Sequence, residues 1–147
     1  MKHLPPLVTK KMADKIQLEV VTPERRVFAE PVDMVTVPGL NGEMGILPGH
    51  TPLISQLKTG VLTYFQEGKS SQLLVSGGFI EVRDDHVAVL AEVAERPEEI
   101  DGAAARASRD RLEKQLSGWS GSEDELELAK AELAKSEVRL QLASSRT

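Results

Sequence analysis

From Lys15 to about Arg96 the chain alternates between apolar and polar positions in short stretches. Ile16-Gln17-Leu18-Glu19-Val20 repeats every second residue, the pattern of a half-buried strand. Runs rich in β-branched residues follow at 32–37, 60–66, 72–75, 79–82 and 87–91. Turn formers separate them, at Thr22-Pro23-Glu24, Pro38-Gly39, Glu67-Gly68-Lys69-Ser70, Ser76-Gly77-Gly78 and Arg83-Asp84-Asp85-His86. Many short strands with no helical stretch between them predict an antiparallel β-sandwich or flattened barrel over residues 13–97.

The period changes after Glu95-Arg96-Pro97-Glu98-Glu99. From Asp101 onward there is no proline, and Ala, Leu, Glu, Lys and Arg dominate, all good helix formers. Asp101 caps a predicted helix running to about Leu116, with Ala104, Ala105, Ala107, Leu112 and Leu116 as its packing face. Ser117-Gly118-Trp119-Ser120-Gly121 interrupts it. Ser122 and Glu125 form a capping box that opens a second helix, striped by Leu126, Ala129, Leu133, Ser136 and Leu140. The expected result is an antiparallel two-helix hairpin over residues 98–147. Its stripe of Ala against Leu is thin, at ~25 cal/mol per Å² of buried apolar surface, so the hairpin is expected to detach and re-dock.

Composition narrows the chemistry. Aromatics are only 3% of the 147 residues, so the core must be aliphatic, and the lack of cysteine removes disulfides, thiolate metal sites and a cysteine nucleophile. A net charge of -5 with no basic block argues against nucleic acid as a partner. No stretch approaches the roughly 20 apolar residues of a membrane span, which predicts a soluble or peripheral protein. Residues 1–12 read as a disordered lead or a start placed too early, since Met12-Ala13-Asp14-Lys15 is a more natural beginning. Asp84-Asp85-His86 juxtaposes two carboxylates and an imidazole, but its place between two β-runs makes it a polar hairpin turn, not a catalytic or metal site. No catalytic residue, metal or cofactor is expected.

The densest local signal is Gly42-Glu43-Met44-Gly45-Ile46-Leu47-Pro48-Gly49-His50-Thr51-Pro52-Leu53, where four turn formers fall close together. It is expected to follow one specific irregular path suited to contacts. With the order sandwich then hairpin, this run resembles the epsilon subunits of bacterial F-type ATP synthases. Val20-Val21-Thr22-Pro23-Glu24-Arg25, Ser76-Gly77-Gly78-Phe79-Ile80-Glu81-Val82 and Ala131-Glu132-Leu133-Ala134 extend the resemblance from Met12 to Leu142.

The resemblance implies a non-catalytic rotor part. Its sandwich clamps a gamma subunit and sits on the ring of membrane c subunits, with Glu43, Gly45 and His50 at that contact. The family's hairpin extends along gamma into the catalytic head of alpha and beta subunits and obstructs ATP hydrolysis. Arg106, Arg109, Arg111 and Lys114 on the first helix, and Lys130, Lys135 and Arg139 on the second, would meet acidic segments there; the plainer reading of each is a solvated charge. Some family members bind ATP on the folded hairpin. Here Ile100, Asp101 and Arg111 match that motif, but Ala104-Ala105 replaces its Arg-Ala, and Glu137 and Gln141 stand where further arginines are expected, so ATP binding should be weak or absent. The lead has lysine but neither arginine nor serine, which favours a bacterial protein, peripheral at the cytoplasmic face of the plasma membrane, over a mitochondrial one. The alternative is a sandwich adaptor with a helical arm in another complex.

Overall fold

A computed structural model describes residues 14–145. The lead expected over residues 1–12 lies outside them. Ten strands come first: β1 (Ile16–Val21), β2 (Arg26–Val32), β3 (Met34–Gly39), β4 (Gly42–Ile46), β5 (Leu53–Gln56), β6 (Gly60–Gln66), β7 (Lys69–Ser76), β8 (Phe79–Arg83), β9 (His86–Leu90) and β10 (Val93–Glu95). A 3-10 turn at Pro97–Glu99 leads to helices α1 (Gly102–Ser117) and α2 (Glu123–Ser145). The strands form two five-stranded sheets, ordered β2-β1-β9-β8-β5 and β10-β7-β6-β3-β4. Neighbours run antiparallel except β1 and β9, which pair in parallel, Gln17 opposite His86 through Val21 opposite Leu90.

Period-two alternation decides what lies between the sheets. Ile16, Leu18 and Val20 of β1, Ile80 and Val82 of β8, and Val87 and Val89 of β9 face Val35, Val37, Leu62, Leu73 and Val75 of the second sheet, all almost wholly buried. Phe28 and Tyr64 bring one aromatic contact, their ring centroids 4.2 Å apart. The expected sandwich is therefore present, built from aliphatic side chains.

Among the first three strands, two features depart from the sequence pattern. Strand β2 lacks alternation and escaped notice; it is an edge strand carrying Pro31, and the ladder shifts register between Val20 and Val21. Proline and bulges are tolerated at an edge because outward donors there have no ladder partner to lose. The run 32–37 is also not one strand. Asp33 turns the corner between the sheets, accepting hydrogen bonds from Lys15 Nζ and from the Glu67 amide at 2.7 Å.

The outer face of the second sheet is apolar where α2 lies. Leu74, whose neighbours Leu73 and Val75 point inward, packs outward against Leu142 and Ile100, and Val61, Val93, Val138 and Ala143 surround them. Both Leu74 and Leu142 are fully buried. Burying a side chain of this kind is worth ~1.5–3 kcal/mol, so a small satellite cluster, separate from the main core, holds the hairpin down. Helix α1 packs on α2 and hardly touches the sheets. Of its expected face Ala105 and Leu112 are buried and Leu116 half-buried, but Ala104 and Ala107 are exposed. With α2 covering one side only, a narrower stripe suffices. In α2 the buried positions are Ala129, Ser136 and Leu142; Leu126, Leu133 and Leu140 are half-buried.

Both caps form as expected. The Ala104 amide donates to Asp101 Oδ1 at 3.1 Å, and Ser122 and Glu125 exchange backbone-to-side-chain bonds of 3.1 Å in each direction. In the link Trp119 donates through Nε1 to the Ser122 carbonyl at 3.3 Å.

The segment joining the two modules is tied to the sandwich. Arg25 forks onto Glu99 at 2.6 and 2.8 Å and also donates to the Ala94 carbonyl at 3.2 Å. The Arg96 amide donates to Glu99 at 2.8 Å, and the Arg96 guanidinium donates to the Val27 carbonyl.

Two measurements test this packing. Gly78 has φ +91, and a Cβ there would lie 1.9 Å from the Leu90 carbonyl oxygen. Gly78→Ala should therefore cost on the order of 3 kcal/mol in urea unfolding. Gly42→Ala, at φ +133 with nothing within 4 Å, meets no clash and should cost only the backbone strain, about 1 kcal/mol.

The Arg25 fork and the Arg96 amide lower the Glu99 carboxyl from its ordinary 4.5 to about 2. A depressed carboxyl contributes stability above its unfolded value, and that contribution is lost as the pH falls through the folded one. The stability gap between the native chain and Glu99→Gln should be full above pH 5 and close on acidification towards about 2.

Candidate functional site

The sheet containing β1 presents an outer face that no helix among the described residues covers. Its outward parity carries Gln17, Glu19, Glu81, Arg83 and His86, which line an open groove of about 490 Å³. Apolar side chains interrupt this polar surface. Ile54 is 72% exposed, and Phe79 and Leu90 are each 48% exposed. Phe79 stands directly opposite Leu90 across β8 and β9 and opposite Gln56 on β5, with Ile54 one outward step further along. Three large apolar groups thus meet on one sheet face. Clusters of this kind on a soluble chain mark contact surfaces more often than isolated exposed leucines do. The sequence marks residues 79–82 as one more β-branched run and assigns its residues to no face. Parity was the missed signal: Ile80 and Val82 point inward, so Phe79 falls in the outward register of Glu81 and Arg83.

The Gly42–Leu53 run is more regular than expected. Gly42–Ile46 is strand β4, Leu53 begins β5, and the irregular path is confined to residues 47–52. Met44 and Ile46 turn inward at period two, and Gly45 sits opposite Thr36 in an unbroken ladder, so the glycines do not stop the strand. Glu43 and Gly45 are exposed on this edge strand, opposite Pro38 and Thr36. His50 follows in the loop, where its amide donates to the Leu47 carbonyl at 3.1 Å and its Nδ1 lies 2.7 Å from the Thr51 carbonyl. Leu47 projects from the same loop, 55% exposed. Asp85 fixes the loop from outside by accepting the Gly49 amide at 2.7 Å. Glu43 and Gly45 thus lie on an edge strand, and His50 lies in the loop that follows it, which Asp85 braces.

Asp84 and Asp85 form the β8–β9 turn at φ 51 and 60, and His86 Nδ1 lies 3.0 Å from the Asp84 carbonyl. This is the hairpin turn that alternation predicted. Among the described residues no three His, Asp or Glu side chains converge in a way that could hold a metal ion.

The seven cations named on the two helices differ in their engagement. Arg109 pairs with Asp110 at 3.0 Å and Glu113 at 3.9 Å, Lys130 with Glu127 at 3.6 Å, and Lys135 with Glu132 at 3.2 Å, all within their own helices. Arg106, Arg111 and Lys114 are exposed. Arg139 differs: it forks onto Glu95 of β10 at 2.8 and 2.9 Å, an ion pair between the two modules that no sequence pattern signalled.

Ile100 and Asp101 also have structural work. Ile100 is buried against Leu74 and Leu142, and Asp101 caps α1. They border a small cavity of about 200 Å³ lined also by Glu95, Glu99, Ala104 and Arg139. Three carboxylates surround it, its one guanidinium is already engaged, and Arg111 is not among its walls.

Comparison with known proteins gives this geometry a family. The model of the ATP synthase delta/epsilon chain β-sandwich domain matches residues 15–97. The ATP synthase epsilon chain of Pelotomaculum thermopropionicum is 54% identical over 106 residues, which cover 71% of this chain and 79% of the relative. That of Geobacter metallireducens is 40% identical over 136 residues, 92% of this chain and 99% of the relative. Among solved structures, a chain of the Euglena gracilis mitochondrial ATP synthase superimposes with a TM-score of 0.75 at 29% identity, covering 89% of this chain and 82% of that one. A chain of the Tetrahymena thermophila mitochondrial enzyme shares the fold at a TM-score of 0.60 and 20% identity, covering 90% of this chain and 97% of its own. With the family's sandwich on more than half of its residues and epsilon chains alike along nearly all of its length, the chain belongs to the ATP synthase delta/epsilon family, among its epsilon chains.

Proposed function

We propose that the chain is a non-catalytic rotor subunit of a bacterial proton-translocating F-type ATP synthase, joining gamma to the c ring, with its helical hairpin acting as a brake on ATP hydrolysis. The observation that carries the reading is the uncovered apolar group Ile54, Phe79 and Leu90 on a rigid sheet within a family-matched sandwich. The Euglena relative belongs to an F1/c-ring assembly, and in such an assembly this face would close against gamma. The edge bearing Glu43, Gly45, Leu47 and His50, held by Asp85, would then meet the polar loops of the c ring. A rigid β-edge suits torque transmission because it does not yield under lateral load.

No helix among the described residues is long and apolar enough to cross a membrane. Attachment through the complex, at the cytoplasmic face of the plasma membrane, fits the bacterial relatives. The brake reading is supported by the small satellite cluster under α2 and by how little α1 touches the sheets. Such a hairpin can leave the sandwich without disturbing the main core. Alpha and beta subunits of the head would then receive its cations. The cavity beside Ile100 and Asp101 is ringed by carboxylates, which supports weak or absent ATP binding.

Phe79→Asp places a charge at the centre of the proposed gamma contact without touching the core. It should weaken binding to gamma roughly thirty-fold, the scale of a central interface residue, while the circular-dichroism melt stays unchanged. Native affinity in titration calorimetry would remove this face from the contact. A chain ending at Glu99 should still join gamma and the ring and should raise ATP hydrolysis relative to the complex holding the full chain. Failure of that shortened chain to assemble would show that coupling does not reside in the sandwich.

A further inference from the structure

We infer that the fork between Arg139 and Glu95 is a latch on the hairpin, in which the sandwich's own carboxylate occupies the guanidinium that an acidic partner segment would otherwise take. The inference rests on the braking reading and specifies what the hairpin must break before it moves.

The fork joins the C-terminal half of α2 to β10, bidentate at 2.8 and 2.9 Å, with side chains only 28% and 26% exposed. Among the described residues the other ion pairs of the two helices each lie within one helix, so they travel with the hairpin and resist nothing. Arg139 stands one residue from Val138 and a helical turn from Leu142 and Ala143, the α2 residues of the satellite cluster. Latch and apolar contact therefore share one patch and must open together. The sandwich side is immobile by comparison. Glu95 belongs to β10, which pairs with β7, and the following turn is bound down by Arg25 onto Glu99 and by Arg96 onto Val27. Motion is thus confined to the chain beyond that turn, at Ile100 and Asp101, with α1 carried along on α2.

The fork takes the Nε and Nη2 hydrogens of Arg139, so an external carboxylate can reach that edge of the guanidinium only by displacing Glu95, while the Nη1 side stays open. Arg139 can therefore serve Glu95 or an external carboxylate, but not both through the same fork. The exchange is between carboxylates, which requires no nucleotide.

The test is amide hydrogen exchange on the full-length chain. Glu95→Gln and Arg139→Gln should each speed exchange across residues 136–144 roughly ten-fold, the scale of one lost charged hydrogen-bond pair, with the β1, β9 and β6 amides unchanged. The reversed pair, Glu95→Arg with Arg139→Glu, should return exchange towards the native rate. Lys130→Gln, which breaks only a pair inside α2, should leave it at the native rate. Native exchange in both single variants, or a reversed pair no slower than either, overturns the latch. In the assembled complex, Glu95→Gln should inhibit ATP hydrolysis more than the native chain does, whereas Arg139→Gln should not. Faster exchange in Glu95→Gln with native hydrolysis would uphold the latch and overturn the braking reading.

Discussion

Everything in this chain hangs on the aliphatic contact between the two sheets. Valine, leucine and isoleucine fill the space between β1, β8 and β9 on one side and β3, β6 and β7 on the other. Because that interior satisfies the inward register of nearly every strand, the outward register is free to serve other ends. One outer face carries the hairpin, through Leu74. The opposite outer face carries Phe79, Leu90 and Ile54 into solvent. A single set of buried branched side chains thus fixes the orientation of both external surfaces. A slip of one residue in any central strand would exchange them.

Much of this was legible in the residues. Alternation in residues 16–20 placed β1, and the fall in β-branched content after Pro97 marked where helices begin. Asp101, Ser122 and Glu125 announced the caps by local chemistry, which depends on near neighbours only. Strand β2 was hidden because its order comes from pairing with β1 across a bulge, and no period in residues 26–32 records that. The Gly42–Leu53 run misled for the converse reason: glycine is read as punctuation, yet Gly45 completes a ladder set by Thr36 on a neighbouring strand. The fork of Arg139 on Glu95 joins residues far apart in sequence. Nothing local to either one signals the other.

The two modules are joined by interactions of different character. Arg25, Glu99 and Arg96 form a closed set of charged and backbone hydrogen bonds around the turn at residues 97–99, on the sandwich side. Beyond it, among the described residues, a small apolar cluster and the Arg139–Glu95 pair hold one patch of the second helix to the sandwich. This ordering concentrates weakness in a short stretch of chain. On the proposed braking role, the sandwich remains the fixed part and the helices are the part that moves.

The placement of Trp119 has a practical consequence. It is the chain's one tryptophan, and it lies in the link between the helices, hydrogen-bonded to the Ser122 carbonyl, while the single tyrosine, Tyr64, packs tilted against Phe28 inside the sandwich. Light absorbed at the red edge of the indole band is taken up only at the hairpin's apex. The unlabelled protein therefore carries a built-in optical probe of one module that is blind to the other.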